Sequence, residues 1–215
     1  MKYDLHIHTK YSPCSNLKPH ILLKTAIKKG LNGIAVTDHN TIKGALAVKK
    51  LNKNKDFEVI VGEEIKTNKG EILAYYLNKE IKPGNFEEVL ENIKQQNALA
   101  VIAHPFTVGI CRRKTKIAFK KIKNKIDAIE TFNARNIFNY SNKKAQSLAK
   151  KLNLAQTAGS DAHFAFEIGK AFTIFDSSLR IALKNKKTEI QGSNSLATLS
   201  RPLSFVEKYI IKKLF

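Results

Sequence analysis

The sequence predicts an α/β fold built on a parallel sheet, and three observations predict it. Short apolar runs of strand character alternate with amphipathic runs of helical spacing along almost the whole chain. The strand-like runs end in polar residues, among them five of the six histidines. Polar residues recurring at the C-terminal ends of strands are what a closed barrel gathers at one face, where barrel enzymes place their sites. The length, 215 residues, is ample for one sizeable domain with a single core.

The elements follow in order. "YDLHIH" is a strand, leading to a helix from Pro19 to Lys29 with proline in its first turn and Gly30 just past its end. "GIAVTD" is a strand, leading to a helix from about Thr41 to Leu51. "FEVIVGEEI" and "GEILAYYL" are strands joined by the turn "TNKG", a predicted hairpin. A helix from Phe86 to Gln96 precedes the strand "LAVIAH". The basic segment "RRKTKIAFKKIKNK" precedes the strand "DAIETF". A helix from about Asn136 to Leu152 and the strands "AQTAGS" and "KAFTIF" complete the pattern. The tail adds two helix-like pieces around "NSLATLSRP". The last of them, "SFVEKYIIKKLF", suits packing on the barrel or on a partner subunit, with a membrane surface as the alternative. The expected division is a barrel over 1–176 and a helical extension over 177–215 packed on it.

Two cysteines, Cys14 and Cys111, form no CxxC pair, so a disulfide framework is not expected and the compartment reads as the reducing cytoplasm. No run is long enough to span a bilayer, so no stable membrane insertion is expected. The net charge of +20 fits a nucleic-acid partner, but Lys, Ile and Asn are all abundant, as biased composition would produce. Oligomeric state has no sequence signal.

The chemistry begins in "YDLHIHTKYS". On a strand, side chains alternate faces, so Asp4, His6 and His8 point one way and Tyr3, Leu5 and Ile7 the other. An HxH on a strand is by itself often only a polar face. The remaining histidines change the reading: His39 in "AVTDHN", His104 in "VIAHPF" and His163 in "AGSDAHF" each follow a short apolar run. Only His20, in "LKPHILLK", reads as an ordinary helix residue. Five histidines at strand ends, with Asp38 and Asp161 beside two of them, point to metal binding rather than to satisfied core residues. Asp38 suits either of two roles, orienting an imidazole or capping the next helix.

"DLHIHTKYS", "AVTDHN", "GEEI", "AHP" and "GSDAH" resemble, in order, the motifs of the PHP (polymerase and histidinol phosphatase) superfamily, and "DAIETFNAR" resembles the segment before its last motif. The resemblance runs from residue 3 to roughly residue 175. It implies a distorted (β/α)7 barrel and two or three divalent ions, manganese or zinc with iron as a third option. His6, His8 and Asp161 then resemble ligands of one ion. Glu64 resembles the carboxylate bridging to a second ion, which His104 also holds. His39 and His163 resemble ligands of a third. Two positions depart from the pattern. Cys14 falls near the place where many members carry an aspartate or histidine that completes the third set, and Glu71 stands where many carry a histidine.

The implied activity is hydrolysis of a phosphate monoester or nucleotide by a metal-bound hydroxide, with Asp38, His39 and Asp161 as catalytic residues. Clustered cations neutralise phosphate oxygens and lower the pKa of bound water towards ~7. Arg135 in "FNAR" and the pair Arg112 and Arg113 after "AHPFTVGIC" are candidate phosphate forks, with solvated loop charges as the bland alternative. Glu130 and Asn133 are candidates for holding substrate or a ligand, with a buried structural role equally open. The alternatives are a nuclease acting on short RNA or single-stranded DNA and a non-catalytic RNA-binding barrel. A cluster of five histidines argues against the last, because binding alone needs none.

Overall fold

The computed structural model describes residues 1–107, 115, 117–195, 197 and 202–203. Its strands are β1 (Lys2–Ile7), β2 (Gly33–Val36), β3 (Glu58–Lys66), β4 (Glu71–Tyr75), β5 (Leu99–Ile102), β6 (Ala128–Asn133), β7 (Ala155–Gly159), β8 (Ala171–Ile174) and β9 (Glu189–Gly192). They form one nine-stranded sheet in the order β7-β6-β5-β4-β3-β2-β1-β8-β9. The helices α1 (Pro19–Lys28), α2 (Lys43–Leu51), α3 (Phe86–Gln95), α4 (Phe119–Ile122), α5 (Asn139–Leu152) and α6 (Leu179–Lys184) lie between them. Among the described residues no helix is long and apolar enough to cross a membrane.

The sheet curls into a nearly closed, distorted barrel. Beyond the end of β7 the chain returns to β1: Asp161 N–H donates to the His6 carbonyl at 2.7 Å and His8 N–H to the Ala162 carbonyl at 2.9 Å. Gly159 is required at this seam, since a Cβ there would lie 2.3 Å from the Cβ of His6. The predicted hairpin is present: β3 and β4 pair antiparallel from Gly62 with Tyr75 to Lys66 with Glu71. It reverses β4 within the run from β7 to β1, whose other pairs are parallel, while β8 pairs antiparallel with β1 at the edge, and it distorts the barrel. It also means that site residues do not all fall at strand C-termini, because the first residue of β4, Glu71, sits level with the C-terminal ends of its neighbours.

Two apolar clusters sandwich the sheet. Tyr3, Leu5, Ala35, Ile60, Leu73, Tyr75, Leu99 and Val101 fill the inside. Ile34, Val36, Val61, Ile72, Ile102 and Ile129 face the helices, against Leu22, Val48, Phe86 and Val89. The tail differs from its predicted form. Its first helix is α6, whose Leu179, Ala182 and Leu183, at helical spacing, join the inner cluster. The next stretch is the strand β9, paired antiparallel with β8 from Ala171 with Gly192 to Ile174 with Glu189. Residue 176 is therefore not a boundary in the sheet, since the antiparallel β8–β9 pair, joined through α6, straddles it. The short run "EIQG" carries too little periodicity to reveal a strand. "SFVEKYIIKKLF" lies outside the described residues.

Candidate metal centre

The site is built first by an irregularity in β1. Tyr3 and Leu5 belong to the inner cluster but Ile7 to the outer one, and the β1–β2 register shifts between Asp4 and Ile7. Strict alternation, which would group Asp4 with His6 and His8, is broken here. Asp4 instead turns into the seam, accepting backbone N–H bonds from Ser160 at 2.8 Å, Gly169 at 2.8 Å and His6 at 3.4 Å. Burial pushes its pKa up to about 6 despite those bonds. The two imidazoles go to the open end of the barrel.

There they meet residues from five other segments. His6 Nε2 and His8 Nε2 are 3.1 Å apart. Glu64 reaches His39 Nδ1 at 3.0 Å, His104 Nε2 at 2.9 Å, His8 Nε2 at 3.3 Å and His6 Nε2 at 3.4 Å. Asp161 Oδ1 lies 3.2 Å from His8 Nε2, and Glu71 Oε2 lies 3.8 Å from His104 Nε2. Cys14 Sγ is 3.0 Å from His163 Nε2. All nine residues expected to hold metal thus converge. Four triads have ligand atoms mutually within 4.8 Å: His8, His39 and His163; His6, His8 and Asp161; His6, Glu64 and His104; and His39, Glu64 and Glu71.

Ring orientation is fixed from behind. His6 Nδ1 donates to Glu130 Oε1 at 2.9 Å. His8 Nδ1 meets Ser12 Oγ at 3.1 Å. The Ser12 hydroxyl spends its proton on Asp38 Oδ1 at 2.7 Å, so the imidazole must be the donor. His163 Nδ1 donates to the Asp161 carbonyl at 2.8 Å. With each Nδ1–H committed, the Nε2 atoms of His6 and His8 turn lone pairs on one another, an arrangement that requires a proton or a cation between them. Carboxylate–histidine pairs that leave one nitrogen free are the standard support of metal-ligating imidazoles. This donor set fits divalent ions.

The electrostatics agree. Burial would depress the pKa of His6, but Glu130, Asp161 and Glu64 hold it well above its usual value. Burial would raise the pKa of Glu64, but His39 and His6 hold it well down. Burial, Arg135 and His8 keep the pKa of His163 well below normal, so its ring is neutral. Backbone strain is stored here too. His104 has φ 22° and Asp161 φ 55°, conformations that cost on the order of 1–3 kcal/mol each for non-glycine residues and concentrate at functional sites. Glu130 Oε2 holds the first by accepting His104 N–H at 2.8 Å.

Asp38 makes no side-chain cap on α2 and instead bonds Ser12, which contacts His8. It accepts from Thr9 N–H at 2.6 Å, Thr9 Oγ1 at 2.6 Å and Ser12 Oγ, while α2 is capped at Ile42 without a side-chain bond. Glu130 and Asn133 stand behind the cluster, the Asn133 amide donating to Asp161 Oδ2 at 3.2 Å and to Glu130 at 3.3 Å. Arg135 is not a solvent-facing fork. It is buried, with Nε 3.6 Å from Glu167 Oε1, and Glu167 Oε2 in turn accepts the N–H groups of His163 and Phe164. Arg112 and Arg113 lie outside the described residues. Sequence reading missed Ser12, Thr9 and Glu167. Ser12 alone left a signal, a hydroxyl in the turn four residues after a strand-end histidine.

A distorted barrel with a buried histidine–carboxylate cluster at its open end is the class of architecture that the fold and the site define. A PHP-associated family model matches residues 139–187. An uncharacterised protein of Methanocaldococcus jannaschii is 43% identical over 145 residues, covering 62% of this chain and 82% of that one. A second from the same organism is 36% identical over 182 residues, covering 81% and 70%. A two-domain protein of Bacteroides vulgatus, described as containing a predicted PHP-like metal-dependent phosphoesterase, superposes with a TM-score of 0.73 at 21% identity, covering 90% of this chain and 65% of that one. This chain therefore spans just under two thirds of that structure. A lesion-specific endonuclease of Pyrococcus furiosus superposes with a TM-score of 0.62 at 20% identity, covering 88% and 57%. The PHP-associated segment and the barrel shared with PHP-like structures together support membership of the PHP superfamily, the relatives of 43% and 36% identity being themselves uncharacterised.

Proposed function

We propose that the chain is a metal-dependent phosphoesterase hydrolysing a phosphate monoester or a nucleotide at the open end of the barrel. The observation that carries this reading is the pair of facing Nε2 atoms of His6 and His8, 3.1 Å apart, with each Nδ1 already engaged. His6, His8 and Asp161 would hold one divalent ion, Glu64, Glu71 and His104 a second, and His39 and His163 a third. When bound, such ions supply positive charge to the phosphate oxygens and acidify water towards ~7.

The chain's own residues do the positioning. Glu130, the Asp38–Ser12 pair and the Asp161 carbonyl fix three rings, and Asn133 ties Asp161 to Glu130. His6, His8, His104 and His163 are almost wholly buried, whereas His39 is 27% and Glu71 26% exposed. Substrate thus approaches beside those two, and His39 is the ring a leaving oxygen can meet. Arg135 acts by holding Glu167, which holds the His163 backbone.

One observation favours the nuclease alternative. Tyr11, Phe138 and Tyr140, in the segments that follow β1 and β6, are 41%, 65% and 70% exposed. Exposed rings can stack bases at ~1–3 kcal/mol each. The test is a screen of phosphorylated metabolites, mononucleotides and short single-stranded oligonucleotides with manganese, zinc and magnesium supplied in turn. Turnover abolished by a chelator is expected. Metal-loaded protein inert on every substrate would sink the phosphoesterase reading. Cleavage confined to oligonucleotides, steeply weakened by salt, would select the nuclease.

A further inference from the structure

Cys14 sits at the edge of the cluster and no structural role explains its chemistry. It is a free thiol, 7% exposed, in the turn after β1. Its Sγ is 3.0 Å from His163 Nε2. The Nδ1–H of His163 is committed to the Asp161 carbonyl, so Nε2 presents its lone pair to the sulfur.

The turn is pinned for this contact. Ser15, next along the chain, donates to the His163 carbonyl at 2.9 Å and lies 3.4 Å from the His8 carbonyl. Lys10 N–H donates to the Leu17 carbonyl at 2.9 Å and closes the base of the turn. These bonds fix the backbone on either side of Cys14. Independently, donor atoms of His8, His39 and His163 lie mutually within 4.8 Å, so the sulfur adjoins a ready imidazole cluster.

We propose that Cys14 is a thiolate ligand which, with His39 and His163, makes the third subsite a sulfur-containing site for a thiophilic divalent ion such as zinc. The inference rests on the metal-centre reading above and adds a metal preference to it. Zinc bonds of ~2.3 Å to sulfur and ~2.0 Å to nitrogen span more than the observed 3.0 Å between the two donors. Thiolate is a soft donor, suited to zinc and cobalt and poorly matched to magnesium or manganese. The subsite then takes zinc where an all-oxygen and imidazole site would accept manganese.

The test is cobalt(II) and zinc loading of the full chain, read by absorption and elemental analysis. The wild type should show a thiolate-to-cobalt charge-transfer band in the near ultraviolet. Cys14→Ser should lose that band and about one zinc per chain, while Cys111→Ser keeps both. Cys14→Asp should recover the ion count without the band and shift uptake from zinc towards manganese. Circular dichroism shows that each variant is folded. Wild type that binds cobalt without a thiolate band, or Cys14→Ser with unchanged zinc content, overturns the proposal and leaves the metal centre standing. Wild type that takes up no cobalt overturns both.

Discussion

The two ends of this barrel are built from opposite chemistry on the same strands. At the lower end Tyr3, Leu99, Ala128 and Ala155 pack with Leu179, Ala182 and Leu183 of α6, and the inside is apolar. At the upper end the same strands lead to His6, His104, Glu130 and Asp161, all buried and all polar. Tyr75 marks the border: its ring lies in the inner cluster and its hydroxyl donates to the Leu5 carbonyl at 3.0 Å. Cavity size does not reveal the working end. A cavity of about 320 Å³ opens beside α6 at the lower end, lined by Lys123, Asp127, Leu154 and Leu183. What separates the ends is that one is stabilised by burial and the other is held by hydrogen bonds around groups that repel or attract strongly. Damage should therefore split cleanly between folding and chemistry.

The largest effect expected is at the upper end. His8→Ala removes a donor shared by two of the triads. It should abolish phosphoester hydrolysis, beyond the ~10–100-fold typical of residues that only orient a ligand, while the thermal transition persists because the lower core is untouched. Near-normal turnover would remove β1 from the site.

Its counterpart is Leu183→Ala, in a side chain 2% exposed within the inner cluster. Deleting such a side chain typically costs ~2–5 kcal/mol. Denaturant unfolding should show that loss, while metal content per folded chain stays at the wild-type level. If metal content fell with stability, the two ends would not be separable.

Adjacent residues on β3 carry the contrast across the sheet. Glu64 faces the cluster and is held well below the usual carboxylate range, whereas Glu63 faces outward. Glu63 accepts the Ile81 N–H at 3.0 Å, but burial, together with the charge of Glu80, pushes its pKa up to about 7. A carboxyl whose folded pKa is raised favours folding when protonated. Its contribution is complete below the unfolded value near 4.5 and is lost as pH rises through about 7. Glu63→Gln keeps an acceptor for Ile81 and removes the titration. Unfolding measured at pH 5 and pH 8 should show the wild type losing at most about 3 kcal/mol more than the variant over that interval. Equal pH dependence would mean that Glu63 is not the group responsible.

How much of this was legible depended on range. The strand–helix alternation, the hairpin at "TNKG" and the strand-end histidines are local signals, and each appears where the pattern placed it. Asp4 was misplaced because a register shift in β1 is set by pairing with β2, which no local alternation reports. The ion pair of Arg135 with Glu167 left no signal, because the two lie 32 residues apart and meet only through the fold. The strand β9 was hidden because four residues flanked by polar ones acquire strand form only by pairing with β8. Asp38 stayed open between cap and orienting residue because its partner Ser12 lies 26 residues away and meets it only through the fold.

Ser12 gives the smallest and most discriminating prediction. Its oxygen receives His8 Nδ1 at 3.1 Å and the His39 N–H at 3.0 Å, and its proton goes to Asp38. Ser12→Ala deletes this junction without touching a donor atom of the metal set. His8 then loses the contact that keeps its proton on Nδ1, and the alternative tautomer would put a proton on the nitrogen meant for a cation. Metal affinity or turnover should fall ~10–100-fold, the usual size of an orienting contact. Ser12→Thr keeps a hydroxyl and should recover part of that loss if the added methyl fits. Asp38→Asn probes the same chain one step back. An amide can still accept from Ser12, but it lacks the charge that polarises the hydroxyl, so its loss should be smaller than that of Ser12→Ala on the same assay. The comparison is decided by pairing metal titration with thermal unfolding. A change in metal affinity with an unchanged transition assigns Ser12 to the upper end's machinery. A lowered transition with unchanged affinity would make it part of the scaffold, and the orientation of His8 would then have to come from packing against His39 and His163, whose rings lie 4.6 and 4.5 Å from its own.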